Sequence, residues 1–408
     1  MSPVHMRRAS DELRCSFCGK EQAAVGKLIS GPNDYPRAYI CDGCILQCWK
    51  ALRDLPDPSG EHTANPQRCS FCRKSIDDVT SVPASGNPPA ALICRECVSV
   101  CVSILKDDAL IPDFETRARR LKGKVAVIAG ASRGCGRGIA LALGEHAVTV
   151  YVTGRSIRGG PPPIDKISGT IEETAEEVTR RGGVGIPARV DHTDAEQVKK
   201  LFERVHAEQG RLDIFACAVW GGNERFVDPI WKQPFWNLPA EFWDDFMGAG
   251  PQAFWIAARE AARLMSQQRS GLIAAISEPM IDPGKFSGSV QWDLFEHLPH
   301  YALNRLVASL APEARKAGVT LLGLLPGFMK TERVQVHMRD EALQKRYRYD
   351  LAESTEYTGR AVVALASDSN AIAKSGRLIF VGNAAKEYGF TDIDGRYVEN
   401  FYRATGRL

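Results

Sequence analysis

Long apolar runs are missing from this sequence. In its 408 residues nothing approaches the roughly 18–20 apolar residues of a membrane span, and Met1–Asp11 contains no apolar leader core. A surplus of one charge is missing too. Lys and Arg number 52 against 49 Asp and Glu, a formal net charge of +3, too small to draw nucleic acid or an anionic lipid surface. No G-x-x-x-x-G-K-[ST] loop occurs, so the chain is no P-loop ATPase. These absences predict a cytoplasmic chain that engages neither membrane nor nucleic acid. Its length predicts more than one domain.

Cysteine is plentiful and unevenly placed, with ten of the 12 lying before residue 102. Arg14-Cys15-Ser16-Phe17-Cys18 recurs as Arg68-Cys69-Ser70-Phe71-Cys72, and Cys41, Cys44 and Cys48 recur as Cys94, Cys97 and Cys101. Each copy reads C-x2-C, a spacer, C-x2-C. Paired thiolates two residues apart grip one tetrahedral zinc ion, and two pairs close a structural site. The pattern therefore predicts two zinc ions, one on Cys15, Cys18, Cys41 and Cys44, the other on Cys69, Cys72, Cys94 and Cys97. Disulfides or buried free thiols are the competing reading. Cys48 and Cys101, one helical turn past the last ligand, are expected to be small core residues.

Arg14–Lys20, Lys27–Pro32 and Tyr39–Ile45 resemble the ClpX-type zinc finger, with a weaker second copy in which Arg73 replaces Gly19. The modules are placed at residues 13–54 and 66–108. In that family the module dimerises and docks proteins, which implies self-association or a protein partner here. DNA is not implied: Leu13–Asp54 has six basic residues against four acidic, and Arg68–Asp108 five against five.

From Leu121 onward apolar, β-rich runs alternate with amphipathic stretches. The runs are Val125–Ile128, Val148–Val152, Val184–Val190, Leu212–Ala218, Leu272–Ile276, Val319–Leu325 and Leu378–Val381. Ile171–Arg181 and Ala195–Glu208 are two of the helical segments between them. The pattern predicts an α/β, Rossmann-type, doubly wound parallel sheet of about seven strands, with ligand at the strands' carboxyl ends. Behind the first run, Gly130-Ala131-Ser132-Arg133-Gly134-Cys135-Gly136 opens a helix. Closely spaced glycines there permit the tight turn and the backbone approach that a pyrophosphate needs.

This loop, Asp191 after the third strand, Pro326–Thr331 after the sixth and the tail Tyr388–Gly395 resemble the short-chain dehydrogenase/reductase (SDR) family over residues 121–397. The resemblance implies that Gly130, Ser132, Arg133, Gly134, Cys135 and Gly136 hold the nucleotide pyrophosphate. Asp191 would then sit at the adenine, with Pro326, Gly327 and Thr331 on the nicotinamide side. Cys135 is read as a packing residue of the loop. The second strand ends Val152-Thr153-Gly154-Arg155-Ser156, without the carboxylate that selects NAD. Arg155, Ser156 and Arg133 instead offer donors to a 2′-phosphate, so NADP(H) is the expected cofactor.

The family's chemistry rests on a tyrosine and a lysine four residues later, and no Y-x-x-x-K lies between the fifth and sixth runs. Two placements are open. Trp292-Asp-Leu-Phe-Glu296 puts Trp and Glu at the two positions, with His297–Tyr301 inserted. Tyr301-Ala-Leu-Asn-Arg305 keeps a phenol and a cation. The orienting serine falls at Ser277 or Glu278, so Ser277 and Tyr301 are the catalytic candidates. The tryptophans Trp220, Trp231, Trp236, Trp243 and Trp255 either line a substrate cavity or, as such rings more often do, form core and lid. The functional expectation is an NADP(H)-dependent oxidoreductase with a degenerate catalytic motif, and the alternative is a noncatalytic NADP(H)-binding scaffold, sensor or adaptor.

Overall fold

The computed structural model describes residues 13–32, 37–53, 67–76, 91–107, 114–161, 166–221, 233–281 and 293–407. Two compact units, Met1–Asp113 and Phe114–Leu408, divide the chain.

In the smaller unit each module is a two-stranded antiparallel ribbon followed by a helix. The first has β1 (Leu28–Ser30), β2 (Tyr39–Cys41) and α1 (Asp42–Arg53); the second has β3 (Gln67–Arg68), β4 (Ser75–Ile76) and α2 (Arg95–Asp107). The modules are not independent. Helix α1 packs on α2, the Phe17 and Phe71 rings approach to 6.4 Å, and Ile40, Ile45, Ile93, Val98 and Leu105 close one common core. Gly31 lies so close to the Phe71 backbone that a side chain there would crowd it. Cys48 and Cys101 are buried in this core, as small packing residues should be.

The larger unit is a seven-stranded parallel sheet in the order β7-β6-β5-β8-β9-β10-β11. Its strands are β5 (Val125–Ala129), β6 (Thr149–Gly154), β7 (Val184–Arg189), β8 (Ile214–Cys217), β9 (Leu272–Ile276), β10 (Thr320–Leu325) and β11 (Leu378–Phe380). The expected runs all became strands, shifted by no more than two residues at an end. Five of them are buried almost throughout because helices cover both faces. One face holds α3 (Gly134–Gly144), α4 (Ile171–Arg180) and α8 (Thr355–Ser367); the other holds α5 (Ala195–Gln209), α6 (Ala253–Gln268) and α7 (Leu298–Lys316).

Local chemistry sets the helix ends. Thr170 and Glu173 form a capping box at α4. Asp194 caps α5 at its start, and Gly210 in the left-handed region (φ +67°) ends it. The order of strands reverses between β5 and β8, which opens a crevice at their carboxyl ends. Among the described residues no helix is long and apolar enough to cross a membrane.

Candidate active site

Both predicted cysteine quartets form. Within each, all four sulfurs lie within 4.8 Å of one another. Cys15–Cys44 and Cys18–Cys41 are 3.8 and 3.7 Å apart, Cys69–Cys97 and Cys72–Cys94 3.9 and 3.7 Å. Zinc–sulfur bonds of ~2.3 Å at tetrahedral angles separate sulfurs by about 3.8 Å. The donor sets fit the ion, and S–S bonds of ~2.0 Å do not fit these distances.

In the larger unit a cavity of about 760 Å³ lies where the strands end. It is lined by the β5–α3 loop (Gly130, Ser132, Arg133, Gly134, Cys135), by Gly154, Arg155 and Ser156 after β6, and by Asp191, His192 and Thr193 after β7. Ala218–Trp220 after β8, Ile276–Glu278 after β9 and Pro326–Met329 with Thr331 after β10 complete it. Every expected nucleotide residue except Gly136 is therefore on its wall. Gly136 acts from behind, since a Cβ there would lie 2.2 Å from the Gly130 carbonyl oxygen. Gly130 is in the left-handed region (φ +75°), and its own Cβ would meet the Ala218 carbonyl at 2.8 Å. The loop is a cradle shaped by missing side chains. At its far end the backbone N–H of Gly134, first residue of α3, donates to a Glu332 carboxylate oxygen at 2.8 Å. A helix start that already accepts an anion fits a pyrophosphate.

The rest of the wall is held by polar contacts. The Asp191 carboxylate accepts from Thr193 N–H at 3.0 Å and Thr193 Oγ1 at 2.7 Å. Burial pushes the His192 imidazole down to about 4, and its Nε2 lies 2.7 Å from Thr153 Oγ1. Arg133 donates to the Ile167 carbonyl. Burial raises the Cys135 thiol to about 12, and its side chain packs against the hydrophobic core behind the loop. Beneath Gly327 sits Glu353, 1% exposed, its carboxyl pushed by burial up to about 8.

These glycine, strand and cavity features are those of a dinucleotide-binding α/β fold, and the sequence comparisons narrow it to one family. The family model described as "Enoyl-(Acyl carrier protein) reductase" matches residues 130–381. "Dehydrogenase/reductase SDR family member 1" of Homo sapiens is 36% identical over 296 residues, spanning 70% of this chain and 88% of that protein. The chain belongs to the SDR family. The Mus musculus protein of the same name is 36% identical over 292 residues, covering 69% of this chain and 87% of its own length. A solved short-chain dehydrogenase from Mycobacterium thermoresistibile superposes with TM-score 0.55 at 20% identity, over 69% of this chain and 93% of that one, which supports the fold. The ClpX C4-type zinc finger model matches residues 13–54 and 67–107.

The SDR domain departs from the expected catalytic positions. Tyr301 is turned away from the cavity: its hydroxyl donates to the Ile281 carbonyl at 2.6 Å and accepts from the Ile281 N–H at 2.8 Å. Trp292 lies outside the described residues. Glu296, read from the sequence as standing at the lysine position, lines the cavity itself, with His300 one turn on. Glu296 lies in a π-helical turn, Asp293–His297, that runs directly into α7.

Ser277, 2% exposed, is on the wall as expected, but its Oγ meets the His300 Nδ1 at 3.3 Å rather than a phenol. His300 stacks on Trp220 at 3.9 Å between ring centroids, and burial pushes it down to about 4, so it is neutral at pH 7. Trp220 thus belongs to the cavity wall, Trp236, Trp243 and Trp255 are exposed instead of forming core, and Trp231 lies outside the described residues.

One atom each from Glu278, Glu296 and His300 falls within a 4.8 Å cluster. The two carboxyls are pushed apart. Burial, reinforced by the nearby Glu278 charge, holds Glu296 well above the ordinary carboxyl range. For Glu278 burial acts upward too, but attraction to His300 when its imidazole is charged and the hydrogen bond from His297, whose Nδ1 is 3.3 Å away, outweigh it and set Glu278 below the ordinary carboxyl value. The sequence reading did not identify Glu278, Glu296 and His300 as a unit. The E-x-x-x-H interval of Glu296 and His300 was the available signal.

Proposed function

We propose that the SDR domain is an NADP(H)-dependent oxidoreductase acting on a carbonyl or alcohol, and that the zinc unit docks a protein partner. The observation that carries the cofactor choice is the rim after β6, where Arg155 and Ser156 line the cavity at the end of the strand and residues 152–156 include no acidic one. Gly130, Ser132 and Gly134 would hold the pyrophosphate, Arg155, Ser156 and Arg133 the 2′-phosphate, Asp191 the adenine, and Pro326, Gly327 and Thr331 the nicotinamide. Bound there, the nucleotide supplies or accepts a hydride. The surrounding chain orients the substrate oxygen and excludes water from it. Because the two zinc modules already pair within one chain, self-association in this reading belongs to the SDR domain.

Titration calorimetry tests the assignment. NADPH should bind more tightly than NADH. Arg155→Ala should remove most of the difference, about 1 kcal/mol for charge-assisted bonds from an exposed guanidinium. Equal affinities in the wild-type chain would refute it. A second reading, nucleotide binding without turnover, is favoured by the engagement of the Tyr301 hydroxyl with the Ile281 backbone.

A further inference from the structure

The cavity contains a carboxyl group that the family's tyrosine and lysine do not account for. Three observations meet at Glu296. It lines the same cavity as the glycine loop and Ser277. Its Oε2 is inaccessible from solvent and has no hydrogen-bond partner. It lies beside Glu278 and His300, each with an atom inside one 4.8 Å cluster. An unpartnered buried carboxyl oxygen is costly, and natural cores rarely retain one without use.

We propose that Glu296 is the acid–base residue of this active site, giving a proton to the oxygen of a carbonyl substrate on reduction and taking it back on oxidation. The inference rests on the oxidoreductase reading above. In the reducing direction the nicotinamide nucleotide is the hydride donor and becomes oxidised. As the carbonyl carbon gains that hydride, its π pair moves onto oxygen, the Glu296 O–H bond breaks, and a new O–H bond forms on the substrate. The products are an alcohol and the Glu296 carboxylate, which regains a proton from solvent before the next cycle.

The neighbours suit these roles. Ser277 Oγ and His300 Nδ1, 3.3 Å apart, offer the hydroxyl and imidazole that fix a substrate oxygen. Stacking against Trp220 holds the imidazole in plane. Glu278 is a positioning residue. Its backbone carbonyl accepts from Asn304 Nδ2 at 2.7 Å, and its charge keeps the Glu296 proton in place. The charged and titratable groups facing Glu296 are Glu278 and His300, Arg333 from the segment after β10, and Tyr402 near the C-terminus; His297 faces Glu278. Arg333 and the Trp220 N–H favour the carboxylate, but burial and Glu278 outweigh them. Two carboxyls driven apart in proton affinity are the usual arrangement for acid–base work near neutrality.

The full zinc-loaded chain is the material for the test, with NADPH binding measured separately from carbonyl reduction over a panel of aldehydes and ketones. Glu296→Gln should bind NADPH within about twofold of wild type while kcat falls roughly 100-fold or more. Wild-type reduction should be fastest at low pH and decline as Glu296 loses its proton. Glu278→Gln, which removes the repelling charge, should move that decline to lower pH. Infrared spectra at neutral pH should show a protonated carboxyl band in wild type that is absent from Glu296→Gln, a readout independent of turnover.

A wild-type spectrum without that band overturns the inference, as does full activity in Glu296→Gln, a 100-fold loss in Tyr301→Phe, or no reduction of any carbonyl by the NADPH-bound chain. A third equivalent of bound metal that disappears in Glu296→Gln also overturns it, because a cation would then occupy the carboxyl cluster. Failure to bind NADPH is a separate outcome and removes the oxidoreductase reading itself.

Discussion

The Glu332 carboxylate stands at the anion site of the glycine loop, and removing it should tighten nucleotide binding. Its oxygen accepts the Gly134 N–H at 2.8 Å, so a pyrophosphate entering the loop must take that donor away from it. A hydrogen bond to a charged group contributes about 1.5–3 kcal/mol. Glu332 is only half-buried, which brings the figure down to about 1 kcal/mol. Converted at 1.4 kcal/mol per tenfold, that predicts NADPH binding about fivefold tighter in Glu332→Ala. Glu332→Gln retains a neutral acceptor and should fall between the two. Thr331 caps the short helix Glu332–His337 through the Val334 N–H, so neither substitution removes that cap. Calorimetric titration of NADPH into the three proteins measures the effect. Unchanged or weaker binding in the alanine variant would show that Glu332 supports the nucleotide loop instead of competing for it.

Two further outcomes are expected. Metal analysis should find two zinc ions per chain, and a chelator should unfold residues 13–107 while thermal melting of the SDR domain stays in place, because thiolate ligation is coupled to folding; one zinc, or joint unfolding, contradicts this. Stability of the SDR domain should fall as pH rises above 6.5. His192 and His300, at about 4 in the fold against about 6.5 unfolded, make the unfolded chain bind more protons between those values, so stability rises with pH there by about 3 kcal/mol each. Glu353, at about 8 in the fold against about 4.5 unfolded, has the opposite sign and lowers stability by about 5 kcal/mol between pH 4.5 and 8. Glu296, also held protonated above the ordinary range, acts with Glu353. The two histidines therefore offset the two carboxyls up to pH 6.5, and the carboxyls prevail above it. Melting temperatures across this range check the decline, and Glu353→Gln should flatten it.

The sheet was legible because a buried parallel strand leaves a short, almost unbroken apolar run, and Leu272–Ile276 matches its strand at both ends. The cysteine quartets were legible because metal ligation fixes residue type and spacing together. The catalytic chamber was less so. Two placements of the catalytic pair were open in the sequence, and only the fold shows Glu296 on the cavity wall and the Tyr301 hydroxyl on the Ile281 backbone. Contacts between distant segments leave no periodic trace. Glu332 reaches Gly134 across 198 residues, and nothing near either one announces it. The same holds for Phe17 on Phe71: each sits in a repeat that reads as a complete module, and only the fold shows that they share a core.

That shared core changes what dilution can do. Two modules on separate chains stay together only above their dissociation constant. Here a stretch of about a dozen residues separates α1 from β3, and such a tether holds its ends at an effective concentration in the millimolar range. The pairing is therefore first-order, indifferent to how many copies of the protein a cell holds. The SDR domain carries an already assembled zinc pair even as a lone chain, and abundance cannot switch that pair on or off.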